Sequence, residues 1–289
     1  MNETANPVKV AVITGPTATG KTALAVTLAR EFNGEIISVD SRQVYKGMDI
    51  GSGKDIEEYA EIPYHLIDIA DPAADTFNLF DFCHAAYAAI ADISSRNKLP
   101  ILCGGTALYL TALLQSYELP GGKLPERRSG EARTRQEGTI AAFVPPFKLD
   151  ALVMGVLYPR KTVRARIEQR LDARFAGGMI EEVARLHEAG VPFEKLEFFG
   201  LEYREIARYL QKQCSFEEMR TTLLNRIRQF AKRQDIFFRK MERDGIPIYW
   251  LNEAKEPDPR KLLAAFTGGK PLPEIGFRLC EHHNPPSFT

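Results

Sequence analysis

The chain has 289 residues, of which 44% are hydrophobic, enough to bury a sizeable core in one large or two modest domains. Lys plus Arg and Asp plus Glu both number 38, so the formal net charge is zero and any nucleic acid must bind to a local basic face. No stretch resembles a signal peptide or the ~20 apolar residues of a membrane span. We therefore expect a cytoplasmic protein without a membrane partner, and we expect it to be a monomer.

The four cysteines lack CxxC spacing, and we expect them to stay reduced. The only cluster that resembles a metal site begins at Cys280, where the sequence is Cys-Glu-His-His. It lacks the second half of a zinc site, so we do not expect it to bind metal.

A phosphate-binding loop is predicted near the start of the chain. The apolar run 8–14, VKVAVIT, is typical of a buried parallel strand, and the segment after it matches G-x-x-x-x-G-K-[ST] in full before a helical pattern begins. In such a loop the backbone N–H groups and the helix N-terminus bind phosphate, the lysine adds a cation, and the last hydroxyl suits Mg²⁺. The predicted phosphate-binding residues are Gly15, Pro16, Thr17, Ala18, Thr19, Gly20, Lys21 and Thr22.

A second strand is predicted at 35–40, EIISVD, with Asp40 at its carboxyl end. Ligands of open parallel sheets bind outside the carboxyl ends of the strands, which brings Asp40 beside the phosphate loop. Taken alone, an Asp after a strand is more often a helix cap or a turn former. Ser41, Arg42 and Gln43 follow it with donors and acceptors that can read the edge of a base.

Several segments together resemble one family. GPTATGKT (15–22), EIISVDSRQVYKGMDIGSGK (35–54), YHLIDIADP (64–72) and LPILCGGTALY (99–109) are similar to segments of the tRNA dimethylallyltransferases, which prenylate an adenosine beside the anticodon. The resemblance implies an α/β fold, with a P-loop NTPase-like parallel sheet flanked by helices and a reduced helical insertion. The Gly-Gly turn after the strand in the last segment places Thr106 on the same rim as Asp40, where Thr106 could also cap the next helix.

Residues 119–149 are rich in glycine, proline and charge, and they lack apolar periodicity. The typical family member carries a longer helical insertion here, with a segment like HPNDxxRxxRALE that contacts tRNA, and this chain lacks that segment. We therefore predict a first part of the core (1–118), a shortened insertion or linker (119–149), and a second part of the core with a basic helix and a flexible tail (150–289). The linker contains four basic residues that could bind RNA instead, namely Arg127, Arg128, Arg133 and Arg135. A run of this kind is more often a solvated face than an RNA contact.

The resemblance continues in the second half. Arg160 follows Tyr-Pro in a segment similar to the family's PR-x-x-x-x-x-RI-x-x-R, in which the arginine holds the departing diphosphate through two oxygens. An apolar stripe predicts a helix over 163–175. Tyr203 and Arg204 lie in a segment like the family's GYR, with two extra residues after the glycine.

A basic helix is predicted to follow the capping box at Ser215. Its segment RIRQFAKRQDIFFRK (226–240) is similar to the family's R-x-x-AKRQ-x-x-WF-R helix, so Lys232 and Arg233 are expected to bind tRNA. The pattern alone also fits an amphipathic core helix with a wet basic side. A last strand is predicted at 246–251 and a poorly ordered tail after Pro257.

By this resemblance, the activity is transfer of a dimethylallyl group from dimethylallyl diphosphate to N6 of the tRNA adenosine. Asp40 acts as general base, while Lys21, Arg160 and Mg²⁺ near Thr22 stabilise the departing diphosphate. The predicted catalytic residues are Asp40, Thr17, Arg160 and Thr106, and the predicted tRNA-binding residues are Asp40, Ser41, Arg42, Gln43, Tyr203, Arg204, Lys232 and Arg233.

Three alternatives stay open. An adenylate isopentenyltransferase of the cytokinin type would prenylate free AMP, ADP or ATP; the missing insertion favours it, whereas the basic helix and the DSRQ segment favour tRNA. A P-loop nucleotide kinase shares the loop motif but has no need of the GGT and DSRQ segments. An RNA-binding relative without catalysis would not need Lys21, Asp40 and Arg160.

Overall fold

The structure is a computed structural model that describes residues 6–74, 76–119, 122–123, 139–140, 142–252, 254 and 256–282. In chain order its strands and helices are β1 (Val8–Thr14), α1 (Lys21–Glu31), β2 (Gly34–Ser38), β3 (Tyr64–His65), α2 (Leu79–Ser95), β4 (Leu99–Cys103), α3 (Ala107–Leu114), β5 (Gly122–Lys123), β6 (Thr139–Ile140), β7 (Leu149–Val156), α4 (Arg160–Ala176), α5 (Met179–Glu188), α6 (Phe193–Phe198), α7 (Leu201–Leu210), α8 (Phe216–Arg243), β8 (Tyr249–Leu251) and α9 (Pro259–Thr267).

Six strands form a parallel sheet in the order β3-β2-β4-β1-β7-β8, while β5 and β6 pair antiparallel. The central strand β1 is apolar on both faces because each face is covered. Val10 and Val12 pack toward α2 and α3, whereas Ala11 and Ile13 pack toward α1 and α9. The predicted α/β fold is confirmed. Since all six strands run parallel, the segments that follow β1, β2 and β4 meet at one edge of the sheet.

A second core lies among helices α4 to α8 and packs beside the sheet. Val163, Ile167 and Leu171 of α4 are buried in it, as the apolar stripe predicted, together with Ile206 of α7 and Leu223 of α8. The predicted capping box also forms at the start of α8. This helical layer carries the arginines and the basic helix that the sequence assigned to ligand binding.

The prediction of a poorly ordered tail after Pro257 is wrong for the described residues, which continue to position 282. Asp258 caps α9, and Leu262 and Leu263 of that helix are buried against the sheet. Further along, the carboxylate of Glu242 accepts hydrogen bonds from the N–H groups of Leu279 (3.1 Å) and Cys280 (2.6 Å), which ties the tail to α8. The helical spacing of the apolar residues in 259–267 indicates this helix, but the high proline content of the tail led to the opposite prediction.

The predicted division of the chain stays a prediction. The described residues of 119–149 contain short strands and no helix, and Arg127, Arg128, Arg133 and Arg135 lie outside them. Within the described chain, no helix combines the length and apolar character that a membrane span requires.

One buried carboxylate organises the glycine-rich loop before β3. Glu182 of α5 accepts hydrogen bonds from the N–H groups of Asp49 (2.9 Å), Ile50 (2.7 Å) and Gly51 (3.0 Å). It also accepts one from the hydroxyl of Tyr203, at 2.9 Å. The bonds from Gly51 and Tyr203 are fully buried, and those two donors would be unpaired in a dry environment without Glu182. This side chain therefore fixes the loop that follows the second strand onto the helical layer.

We expect Glu182→Ala to lower the free energy of unfolding by about 3 kcal/mol, because it leaves buried donors unpaired. Urea denaturation would measure the change. Glu181→Ala is the matched control, since Glu181 lies in the same first turn of α5 but is exposed, and its loss should cost less than about 0.5 kcal/mol. Equal losses in the two variants would contradict the role assigned to Glu182.

Candidate active site

The phosphate loop lies where predicted, between β1 and α1. Gly20 adopts a left-handed conformation (φ 74°) directly before Lys21, the first residue of α1. The N–H groups of residues 18–22 form no hydrogen bond with the residues that the structure describes. Unpaired N–H groups at a helix N-terminus form an anion site, because they combine donors with the positive end of the helix dipole.

Lys21 is folded back onto the loop. Its Nζ donates a hydrogen bond to the carbonyl oxygen of Pro16 at 2.7 Å. The pKa of Lys21 is lowered to about 8, chiefly by burial and in smaller part by the positive charge of Arg170, while Cys103 and Asp40 oppose the change. The lowered pKa shows that burial of the ammonium group is not offset by a nearby negative charge. A bound phosphate would supply that charge.

A glutamine of α8 links the loop to its neighbour. The N–H of Thr17 donates to Oε1 of Gln234 at 2.9 Å, and Nε2 of Gln234 donates to the carbonyl oxygen of Gly105 at 3.1 Å. The side chain of Gln234 is 6% exposed. One amide therefore holds the phosphate loop, the turn after β4 and helix α8 in a fixed arrangement.

Asp40 and Thr106 meet at the same edge, as predicted. The N–H of Thr106 donates to the carbonyl oxygen of Val39 at 3.4 Å, so the residue before Asp40 touches the residue before α3. A Cβ on Gly104 would lie 2.2 Å from that carbonyl oxygen, which explains the glycine. Thr106 does not cap α3 with its side chain, so its hydroxyl is left for a ligand.

The carboxylate of Asp40 is half-buried, and its Oδ1 accepts a hydrogen bond from the N–H of Arg42 at 2.9 Å. This is the turn that a lone Asp after a strand predicts. Because Asp40 also acts electrostatically on Lys21 and on Tyr109, it lies within the same site. The turn and a functional role are therefore compatible.

Arg160 is the first residue of α4 and lines a cavity of about 470 Å³ that Pro16 of the phosphate loop also lines. Its guanidinium forms no ion pair or hydrogen bond with the other described residues. Arg164 and Lys232 line the same cavity and are exposed. Cations that converge at a helix N-terminus repel one another and the helix dipole, so this arrangement is suited to an anionic ligand.

Arg42 and Gln43 are turned into the protein rather than toward a base. Nε of Arg42 donates to the carbonyl oxygen of Phe199 at 2.8 Å, and its guanidinium lies 5.7 Å from the ring centre of Phe230. Gln43 accepts from the hydroxyl of Ser38 (2.6 Å) and donates to the carbonyl oxygen of Gly53 (3.0 Å). Arg42 thus connects the sheet to the helical layer and Gln43 holds the loop after β2, and base recognition by them stays a prediction.

The prediction that Tyr203 contacts tRNA is contradicted by its complete burial. Burial raises the pKa of Tyr203 well above its ordinary value, so its hydroxyl stays protonated and donates to Glu182. A Cβ on Gly51 would lie 2.7 Å from the Tyr203 ring, which fixes the loop against it. Arg204 donates to the carbonyl oxygen of Glu197 at 3.0 Å. The likeness to a GYR segment thus identified a packing residue.

Lys232 and Arg233 are exposed on α8 and form no ion pair with the described residues, which fits the predicted basic face. Ile236 and Phe237, which follow on the same helix, are 56% and 51% exposed. Cations beside an exposed aromatic ring suit contact with a phosphate backbone and stacking on a base. Ser41, which follows Asp40, is half-buried.

Comparison with known proteins identifies the family. A model described as IPP transferase matches residues 43–144 and 131–241, and one described as isopentenyl transferase matches residues 8–62. A tRNA dimethylallyltransferase 1 from Geotalea daltonii is 44% identical over 283 residues, covering 85% of this chain and 91% of the relative. The chain belongs to the IPP transferase family.

Solved structures of IPP transferases have the same fold. A full-length tRNA isopentenylpyrophosphate transferase from Bacillus halodurans superposes with a TM-score of 0.74 at 29% identity, covering 91% of this chain and 96% of that one. A tRNA delta(2)-isopentenylpyrophosphate transferase from Staphylococcus epidermidis gives a TM-score of 0.70 at 30% identity, covering 86% and 94%. The resemblance inferred from the sequence is confirmed.

Two residues of the site in this IPP transferase were missed by the sequence. Gln234 and Asp235 lie inside the basic segment, whose arginines and lysines drew the functional assignment. Both are buried, and with Ala231 and Phe238 they mark the face of α8 that turns toward the protein. Helical spacing from the apolar residues was the signal that could have identified them.

Gln234→Ala should weaken the binding of inorganic pyrophosphate by about tenfold, since the loop loses the acceptor that fixes the N–H of Thr17. Isothermal titration calorimetry would measure the dissociation constant, and circular dichroism would verify that the fold is kept. Gln213→Ala removes an exposed glutamine outside the site and should leave the affinity unchanged. Wild-type affinity in Gln234→Ala would show that the bridge does not order the loop.

Proposed function

We propose that the chain transfers a dimethylallyl group from dimethylallyl diphosphate to N6 of an adenosine beside the anticodon of tRNA. The observation that carries this proposal is the meeting of the phosphate loop, Asp40 and Thr106 at one edge of the sheet. Membership of the IPP transferase family and the tRNA dimethylallyltransferase relatives support it.

In the proposed reaction, N6 attacks the allylic carbon, the bond from that carbon to the diphosphate oxygen breaks, and the N6 proton passes to the carboxylate of Asp40. The exocyclic amine of adenine is a weak nucleophile, so removal of its proton as the bond forms lowers the barrier. Thr106 follows β4 and Thr17 lies in the phosphate loop after β1, at the same edge of the sheet. We expect their hydroxyls to orient the amine and the bridging oxygen.

The departing diphosphate gathers negative charge, which preorganised donors and cations stabilise. Lys21, Arg160 and the N–H groups of residues 18–22 fill this role. When the diphosphate enters, we expect Lys21 to exchange the carbonyl oxygen of Pro16 for a phosphate oxygen. The negative charge of the diphosphate then raises the pKa of Lys21 and restores its full charge.

Thr22 fits one ligand position of a Mg²⁺ ion, because its half-buried hydroxyl forms no hydrogen bond with the described residues. Mg²⁺ in phosphate sites keeps several waters and binds substrate oxygens, so a single protein ligand is sufficient. Within the described part of the chain there is no cluster of three His, Cys, Asp or Glu residues suited to a metal. The ion would neutralise part of the diphosphate charge.

The basic face of α8 supports tRNA as the acceptor. Lys232 lines the cavity beside Arg160, and Arg233 and the exposed ring of Phe237 follow on the same helix. Cations and an exposed ring suit contact with a phosphate backbone and stacking on a base. The target base leaves its stack to reach Asp40, which costs a few kcal/mol in a structured loop. We expect the protein to act as a monomer.

The test of this proposal is incubation with labelled dimethylallyl diphosphate and either unmodified tRNA or free AMP, ADP and ATP. We expect the label in tRNA alone, at N6 of the adenosine beside the anticodon, as determined by mass spectrometry of the nucleosides. A transcript with guanosine at that position is the control and should stay unlabelled. Label in the free nucleotides would instead assign the chain to the adenylate isopentenyltransferases, and phosphoryl transfer from ATP would assign it to the kinases.

Asp40→Asn should lower the rate of transfer in a single turnover by roughly 10²- to 10⁴-fold, because the amide cannot accept the N6 proton. The amide oxygen can still accept from the N–H of Arg42, so the turn and pyrophosphate binding should be kept. Asp150→Ala, at the opposite edge of the sheet, should have no effect. A near-normal rate in Asp40→Asn would remove Asp40 from the role of base.

A further inference from the structure

A buried carboxyl group in the active-site cavity has no place in the reaction described above. Asp235 of α8 is 7% exposed, and its Oδ1 is buried without a hydrogen-bond donor among the described residues. Buried polar atoms are almost always paired, so an unpaired buried carboxyl oxygen calls for an explanation. The side chain of Asp235 lines a cavity, which makes its carboxyl group available to a ligand.

The position of Asp235 identifies the ligand. Asp235 lines the cavity of about 470 Å³ together with Arg160 and with Pro16 of the phosphate loop. The residue before it, Gln234, is the one that bonds to the loop at Thr17. The carboxyl group therefore belongs to the same compartment as the loop and Arg160, which the proposed function assigns to the diphosphate.

Among the described residues, the charged groups that line the cavity with Asp235 or act on its carboxyl group are cationic. Helix α4 contributes Arg160 and Arg164, and α8 contributes Lys232 and two more arginines. Of those two, Arg228 already pairs with Glu168 at 2.8 Å, and Arg239 donates to the backbone of the C-terminal segment. The attraction of Arg160 and Arg239 favours the ionised form of Asp235, yet burial outweighs it and raises the pKa of Asp235 to about 6.

A diphosphate that enters this cavity brings several negative charges toward the carboxyl group. Like charges at short range disfavour ionisation, so the ligand raises the pKa of Asp235 above its value in the free protein. An ionised carboxylate would repel the diphosphate, whereas a neutral carboxylic acid can donate a hydrogen bond to a phosphate oxygen.

We propose that Asp235 binds the diphosphate of the prenyl donor as a neutral carboxylic acid, so that donor binding takes up one proton from solution. The inference rests on the proposed function in one respect, because it takes the diphosphate of the donor as the ligand. The contribution of this hydrogen bond to the affinity for the diphosphate is fully present below the pKa of free Asp235, and it is lost as the pH rises through the pKa of the complex.

The test compares the wild-type protein with Asp235→Asn, which keeps the size of the side chain and offers a permanent neutral donor. Inorganic pyrophosphate is titrated calorimetrically between pH 5.5 and 8.5, a range chosen to span about 6. Above pH 6 we expect the ratio of the wild-type to the variant dissociation constant to rise by about tenfold per pH unit until the pKa of the complex is reached. Lys21 and pyrophosphate itself titrate in both proteins and therefore cancel in the ratio.

A second measurement counts the protons directly. Binding enthalpies in two buffers of different ionisation enthalpy give the protons taken up, and at pH 7.5 the wild-type protein should take up close to one proton more than Asp235→Asn. Asp172→Asn is the charge-matched control, since Asp172 is exposed and pairs with Arg220 away from the cavity, and it should behave as the wild-type protein does.

A ratio that does not change with pH, or weaker pyrophosphate binding in Asp235→Asn at every pH, would overturn the inference, because an ionised Asp235 would then hold Arg160 in place. The wild-type protein is assayed in parallel for transfer to tRNA. Absence of transfer with the expected ratio intact would refute the proposed function and leave the proton uptake standing.

Discussion

The side-chain amide of Gln234 is the interaction on which the site depends. The parallel sheet brings the ends of β1, β2 and β4 to one edge, and a backbone hydrogen bond joins Thr106 to Val39 there, but none of these contacts reaches the helical layer. Gln234 joins the N–H of Thr17 to the carbonyl oxygen of Gly105, and it does so from a helix that also carries Asp235 and Lys232. The sheet and the helical layer therefore share one active site.

Electrostatics explains what this arrangement is built to bind. Lys21, Arg160, Arg164 and Lys232 converge on the loop and the adjoining cavity, in a protein whose overall charge is zero. The lowered pKa of Lys21 and the unpaired guanidinium of Arg160 both show that the cations are less stable without an anion. A diphosphate satisfies them together. The N–H groups and cations of the phosphate loop bind phosphate oxygens and not a base. A prenyl diphosphate therefore suits the loop as well as a nucleotide does.

Much of the fold and the centre of the site could be predicted from the sequence. The phosphate loop, Asp40 and Thr106 each follow a buried parallel strand, and the rule that such segments meet at one edge was enough to bring them together. Arg42, Gln43 and Tyr203 could not be oriented in this way. Arg42 bonds to Phe199, 157 residues along the chain, and Tyr203 bonds to Glu182 of another helix. Only packing decides between a ligand and a protein partner.

The helical tail illustrates the same limit. Proline content predicted little order after Pro257, but tertiary contacts determined the outcome: Leu262 and Leu263 pack against the sheet, and Glu242 holds the segment at Leu279. Asp235 was hidden for a different reason, since a carboxyl group among arginines and lysines resembles an ordinary surface ion pair until its burial is known.

The most direct test of the central claim is a crystal structure of the chain with the non-reactive thio analogue of dimethylallyl diphosphate. The diphosphate should lie in the loop Gly15–Thr22, with Lys21 turned from the carbonyl oxygen of Pro16 to a phosphate oxygen and Arg160 bound to the same group. The allylic carbon should face the carboxylate of Asp40. A diphosphate bound outside the loop, or an allylic carbon that points away from Asp40, would contradict the proposed site.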